Sequence, residues 1–123
     1  MDVEEFQTMA QEVFESLPES FKNRLENVCI VIEETASTSV INRTKTAPTS
    51  MLLGLYEGVP ISKRGSAYGS SPVIPDKITL FKKNIERVVS GGAAIREKIR
   101  EVLIHEIGHH FGMSEKEIQK AGY

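Results

Sequence analysis

His105-Glu106-Ile107-Gly108-His109-His110-Phe111-Gly112-Met113-Ser114-Glu115, toward the C-terminal end, holds all three histidines of the chain. Its first five residues run H-E-x-x-H. On an α-helix, residues four apart lie on one face a single turn apart, so His105 and His109 can offer two imidazoles to one metal ion. Zinc in a catalytic site takes about three protein ligands, prefers neutral imidazole among them and keeps a further position for water. Glu106 projects beside the ion without having to bind it. It can accept the proton of the attacking water and pass it to the leaving amine, which makes it the candidate general base of a peptide hydrolase.

The surroundings strengthen that reading. Residues 93–103 have helical periodicity, with Ile95, Ile99, Val102 and Leu103 recurring on one side and Ile107 continuing the row. Ile104 and Phe111 widen the apolar side, so the helix is expected to be buried over much of its girth. Glu106 falls next to the stripe, where an unpartnered carboxylate would be costly and water held by a metal would supply a partner. His110 lies about 140° around the helix from His105, too far to share the ion, and reads as core or as support behind the ligands. Gly108, costing about 1 kcal/mol in a helix relative to alanine, is expected where a neighbouring backbone approaches.

The third ligand must come from elsewhere. Fourteen residues follow His109, too few for a second long helix, and no further histidine exists. Gly112 reads as the left-handed residue that ends the helix and turns the chain back. Glu115 can then approach the ion. It also reads as a first-turn acid of a helix opened by the capping box Ser114-x-x-Glu117. Asp76, Glu57, Glu117 and water are the other candidates.

At these residues the sequence resembles the minimal zincin-like metallopeptidases, small proteins carrying HExxHxxGxxD. The resemblance extends to Leu52-Leu53-Gly54-Leu55-Tyr56-Glu57-Gly58-Val59-Pro60 and to Ile74-Pro75-Asp76-Lys77-Ile78-Thr79-Leu80-Phe81, covering most of the chain after about Val28. It implies a zincin-like fold, a zinc ion (Zn2+) held by His105 and His109, and catalysis by Glu106. The family's aspartate position is occupied by Glu115, one methylene longer.

The rest of the chain sets the frame. With 123 residues and 40% hydrophobic content, residues 1–123 are expected to form one domain around one core. A net charge of −2 argues against nucleic acid or an anionic membrane as a partner held by bulk charge. The single Cys29 excludes an internal disulfide and a cysteine-rich zinc cluster, and within Val28-Cys29-Ile30-Val31-Ile32 it reads as a buried strand thiol. The acidic N-terminus lacks the features of a secretory signal, no run reaches membrane-spanning length, and the cytoplasm is the expected location.

Residues 3–16 pattern as an amphipathic helix ended at Leu17-Pro18, and residues 20–26 as a shorter one. Strands are expected over 28–32, 51–57 and 77–82, with a polar loop over 36–50. Residues 58–76, rich in glycine, serine and proline, read either as a lid over the cleft, with Tyr56, Tyr68 or Arg64 as stabilisers of the oxyanion, or as a surface loop with no catalytic part. Ser90-Gly91-Gly92 breaks the chain and is expected to cap the metal helix. The expected architecture is α+β: a small twisted mixed sheet of three to four strands with packed helices, the C-terminal HExxH helix central. An exposed strand edge near the metal could align a peptide or protein substrate by main-chain hydrogen bonds. The expected function is zinc-dependent peptide-bond hydrolysis. The rivals are a catalytically silent metal-binding or protein-interaction module with the same fold, and a metal-free scaffold with a buried histidine and glutamate network.

Overall fold

The computed structural model describes residues 1–25, 27–37, 52–58 and 75–120. The first helix, α1 (Val3–Glu15), starts where Asp2 accepts the Glu5 amide at 2.8 Å, with Glu4 and Glu5 in the first turn complementing the helix dipole. Its Phe6, Ala10 and Val13 are buried, the spacing of one helical face. Proline at position 18 precedes α2 (Glu19–Lys22), which buries Phe21. This helix is a single turn, shorter than its pattern suggests; Asn23 and Arg24 after it are exposed, and Leu25 packs on the core from outside it.

Three described strands form one mixed sheet: β1 (Val28–Glu33), β2 (Gly54–Glu57) and β3 (Asp76–Phe81), in the order β1-β3-β2. β1 runs parallel to β3 and β2 antiparallel to it. The register aligns Ile30 with Ile78 and Tyr56, and Ile32 with Leu80 and Gly54, so these side chains share one face. Thr79 and Phe81 alternate to the other face of the central strand and are buried as well. Cys29 is half-buried, less enclosed than an interior strand thiol, and β1 is an outer strand of the three described ones.

β2 is shorter than the expected run over 51–57, with Met51 outside the described residues. Ahead of it, Asn84 Nδ2 donates to the Leu52 carbonyl at 2.8 Å and the Phe81 amide to the Leu53 carbonyl at 3.0 Å. β3 ends at Phe81 because Lys82 opens α3 (Lys82–Val88), where its ammonium bonds Glu86 at 2.9 Å. The expected loop over 36–50 lies outside the described residues from position 38 onward.

The long helix, α4 (Gly92–His110), packs on β2, α1 and α3. Gly91 stands at its N-cap with φ +90°, a conformation that suits glycine, and no side chain caps it, so Ser90 does not play that part. Ile95, Ile99, Val102, Leu103, Ile104, Ile107 and Gly108 are buried. The apolar side chains among them join Phe6, Ile30, Ile78 and Leu80 in the core. Among the described residues, no helix is long and apolar enough to cross a membrane.

β2 and α4 meet most closely at Gly54. A Cβ built there would lie 2.5 Å from Val102 Cγ1 and 3.3 Å from the Thr79 carbonyl oxygen. Gly54→Ala is therefore expected to lower stability by about 1–3 kcal/mol through overpacking, measured by denaturant unfolding. An unchanged midpoint and slope would mean that the strand does not depend on this close approach.

Candidate metal centre

α4 carries His105, Glu106 and His109 on its last two turns. Nε2 of His105 is buried, whereas His109 is exposed. The two ring centroids are 5.9 Å apart with planes at 65°. Imidazoles sharing one tetrahedral zinc through Nε2 place their centroids about 5 Å apart, closer than the pair stands here.

The chain then reverses as the glycine spacing predicts. Gly112 adopts φ +68°, and the amides of Phe111, Gly112 and Met113 bond the carbonyls of Ile107, His109 and Gly108. Ser114 and Glu117 exchange the two bonds of a capping box, at 3.1 and 3.2 Å, and open α5 (Glu115–Lys120). The backbone hydrogen bond from Ser114 is also the main reason the Glu117 carboxyl titrates below its ordinary value. Ile118 of α5 is buried against Gly108, where a Cβ would lie 2.9 Å from Ile118 Cδ1 and Cγ1. A side chain, rather than the expected neighbouring backbone, is what needs glycine at position 108.

This turn delivers Glu115. Its Oε1 lies 3.6 Å from His109 Nε2, with the two side chains 72% and 57% exposed. Two ligands on one zinc at about 2.0–2.2 Å with tetrahedral angles stand roughly 3.3–3.5 Å apart, so this pair already has close to the spacing of two donors on a single ion. Glu115 is at once the first residue of α5 and a neighbour of His109, so the reading as first-turn acid leaves the reading as ligand open. As the side chains stand, no group of three or more His, Cys, Asp or Glu among the described residues could hold a metal ion. In chemical type, two imidazoles and a carboxylate are donors that zinc takes, and of the three only His109 and Glu115 stand near ligand spacing.

Glu106 is half-buried on the face of α4 turned to β2, and its Oε1 accepts the Tyr56 amide at 3.2 Å. Burial pushes its carboxyl above the ordinary value, opposed by the Tyr56 hydrogen bond and by nearby His109. The Tyr56 hydroxyl donates to Asp76 Oδ2 at 2.6 Å. Its ring stacks on His110 with centroids 3.9 Å apart and meets Phe111 edge-on. His110 is thus an exposed cover over Tyr56 rather than a core residue.

The other carboxylates considered for the third ligand are engaged elsewhere. Asp76 accepts from Tyr56, Glu57 pairs with Lys77 at 3.7 Å, and Glu117 is held by Ser114 and by Arg24 at 3.5 Å. Of the oxyanion candidates, Tyr56 has its hydroxyl committed to Asp76, while Tyr68 and Arg64 lie outside the described residues, as does most of the expected lid over 58–76. Three features escape a reading of the sequence: buried Asn84 fixing the segment before β2, the Tyr56–Asp76 bond, and the His110–Tyr56 stack. Each joins residues far apart in the chain. Only the strand alternation that puts Tyr56 on the same face as Gly54 hints at one of them.

The sequence model of a family described as zincin-like metallopeptidase matches residues 25–123. No curated protein matches the chain. Among solved structures, a conserved hypothetical protein from Thermus thermophilus is similar in fold, with a TM-score of 0.55 and 22% identity over 90% of this chain and 94% of that one.

The raised carboxyl of Glu106 has a measurable sign. A group with a higher pKa folded than unfolded stabilises the fold while protonated and loses that contribution as pH rises through its folded value. In metal-stripped protein, Glu106→Gln keeps an acceptor for the Tyr56 amide but cannot ionise. The variant is expected to be more stable than wild type at neutral pH, with the gap closing as pH falls into and below the ordinary glutamate range. A gap in denaturant unfolding that stays constant with pH would contradict the burial of this group.

Proposed function

The chain belongs to the zincin-like metallopeptidase family, and from that membership we propose that it hydrolyses peptide bonds with one zinc ion held by His105, His109 and Glu115 and with Glu106 as general base. The observation that carries the reading is the 3.6 Å approach of Glu115 to His109, reached through the Gly112 turn at the end of the helix that bears Glu106. When bound, zinc would polarise the scissile carbonyl and make an attacking water more acidic.

The remaining work belongs to the chain. His105 and His109 act as neutral donors from successive turns of α4, so the helix sets their spacing. The Tyr56 amide holds one oxygen of Glu106, which orients the carboxylate and leaves its second oxygen for water. Burial of Glu106 moves its basicity toward the working pH of a general base, so it can take the water proton and hand it to the departing amine. That combination supports the hydrolytic reading over a silent metal-binding module.

The substrate would lie along β2. In an antiparallel ladder, alternate residues turn their main-chain groups toward the partner strand. Leu53 bonds β3 through its carbonyl, so Gly54 and Tyr56 turn theirs outward, as the Tyr56 amide reaching Glu106 illustrates. An extended peptide adding beside Gly54 would bring its carbonyl groups past Glu106.

Metal analysis and cleavage of a mixed peptide library test the proposal together. Chelation is expected to abolish cleavage and added zinc to restore it. Glu106→Gln should keep zinc and lose about 10²–10⁴-fold in turnover, while His105→Ala should lose both. Full activity in either variant would reject the assignment.

A further inference from the structure

Tyr56 is gripped at three points. Its amide donates to Glu106 Oε1 at 3.2 Å, its ring stacks on His110 with centroids 3.9 Å apart, and its hydroxyl donates to Asp76 Oδ2 at 2.6 Å. Glu106 and His110 stand four residues apart on one face of α4, so the helix holds this tyrosine by its backbone and by its ring. Asp76 holds it from the sheet. Resting on the peptidase reading, we propose that Asp76 is a positioning residue for the general base: by fixing the Tyr56 phenol it keeps the Tyr56 amide on the Glu106 carboxylate.

Asp76 is a fixed point. It opens β3, pairs with Val28 of β1, and its own amide donates to the Asn27 carbonyl at 2.9 Å. Tyr56 faces Ile78 across the two strands, which puts Asp76 at the diagonal position on the same face, within reach of a long aromatic side chain. An O–H···O bond of 2.6 Å has the length of a charge-assisted bond to a carboxylate, a type roughly twice as strong as a neutral one. Tyr56 is buried, so little water competes for the phenol. Beyond it the chain passes Gly58, where a Cβ would lie 2.9 Å from His110 Cε1 and 3.8 Å from Asp76 Oδ1. Glycine there leaves His110 room to lie on the Tyr56 ring.

The Tyr56 amide is turned away from β3, so the ladder does not itself tie it to α4. A general base must stand within about 2.6–3.2 Å of the proton it takes. A displacement of about 1 Å can cost 10²-fold in rate. Loss of the bond to Asp76 releases the phenol, and with it the constraint on how the Glu106 carboxylate is turned.

Two measurements test this. In the first, cleavage of a peptide library by zinc-loaded protein is followed in Tyr56→Phe, Asp76→Ala, Asp76→Asn and the double variant Tyr56→Phe/Asp76→Ala. Turnover should fall about 10–10²-fold in Tyr56→Phe and in Asp76→Ala, with KM and bound zinc unchanged. The double variant should fall no further than the worse single one, and Asp76→Asn, which keeps an oxygen to accept from the phenol, should recover most of the loss. Unchanged turnover in both single variants, additive losses, an Asn variant no better than the alanine one, or loss of zinc from Asp76→Ala would overturn the proposal. In the second, hydrogen exchange of the residue 56 amide is measured by NMR in metal-free protein, relative to the amides of β3. Exchange should quicken about tenfold in Tyr56→Phe and Asp76→Ala, toward the rate in Glu106→Ala. Wild-type exchange in both variants would overturn the role of Asp76 and leave the peptidase reading standing. Quickened exchange in a protein that cleaves no peptide would uphold the hold on Glu106 and remove the peptidase reading.

Discussion

A carboxylate held half-buried between a helix and the edge of a sheet is the constraint on which the rest of this structure depends. Glu106 leans on the Tyr56 amide, turned away from β3 on an outer strand of the described sheet, and the core around Ile99, Leu103 and Ile107 holds α4 in reach of it. A charged group in such a place needs partners on all sides. The strand supplies one, His109 stands close enough to favour the charge, and a cation with its water would complete the set. The tight packing of Gly54 on Val102 serves the same end, because a side chain at that position would push the edge strand away from the carboxylate.

The other half of the site is made by a turn. Gly112 reverses the chain, the Ser114–Glu117 box fixes the start of α5, and Ile118 pins α5 into the space left by the missing side chain at Gly108. Glu115 is exposed, yet its backbone is anchored on both sides, by the cap before it and the buried isoleucine after it. A glutamate where the family resemblance has aspartate gains reach of one methylene, and the structure uses that reach to bring the carboxylate to His109. Stacking of His110 on Tyr56 ties the end of α4 to the strand that bonds Glu106.

Much of this was legible in the residues themselves. Helical spacing through Ile95, Ile99, Val102 and Leu103 located α4, alternation located β3, and Gly112 with Ser114 and Glu117 located the turn and cap, since each signal is local and has a single geometric meaning. The boundaries drifted where the deciding partner is distant. β2 begins only at Gly54, with Asn84 and Phe81 holding the residues before it, and α2 stops at Lys22, short of the expected end. Gly108 was recognisable as a close contact but not as a contact with a side chain, because Ile118 enters only after the chain has reversed.

The most direct test of the central claim is zinc-edge X-ray absorption on protein loaded with one equivalent of the metal. The expected result is a four-coordinate ion with two imidazole nitrogens and a carboxylate oxygen at about 2.0–2.2 Å, reduced by one imidazole in His109→Ala and by the carboxylate in Glu115→Ala. A coordination shell of oxygens with at most one imidazole, unchanged by either substitution, would contradict the assignment of His105, His109 and Glu115 to a single ion.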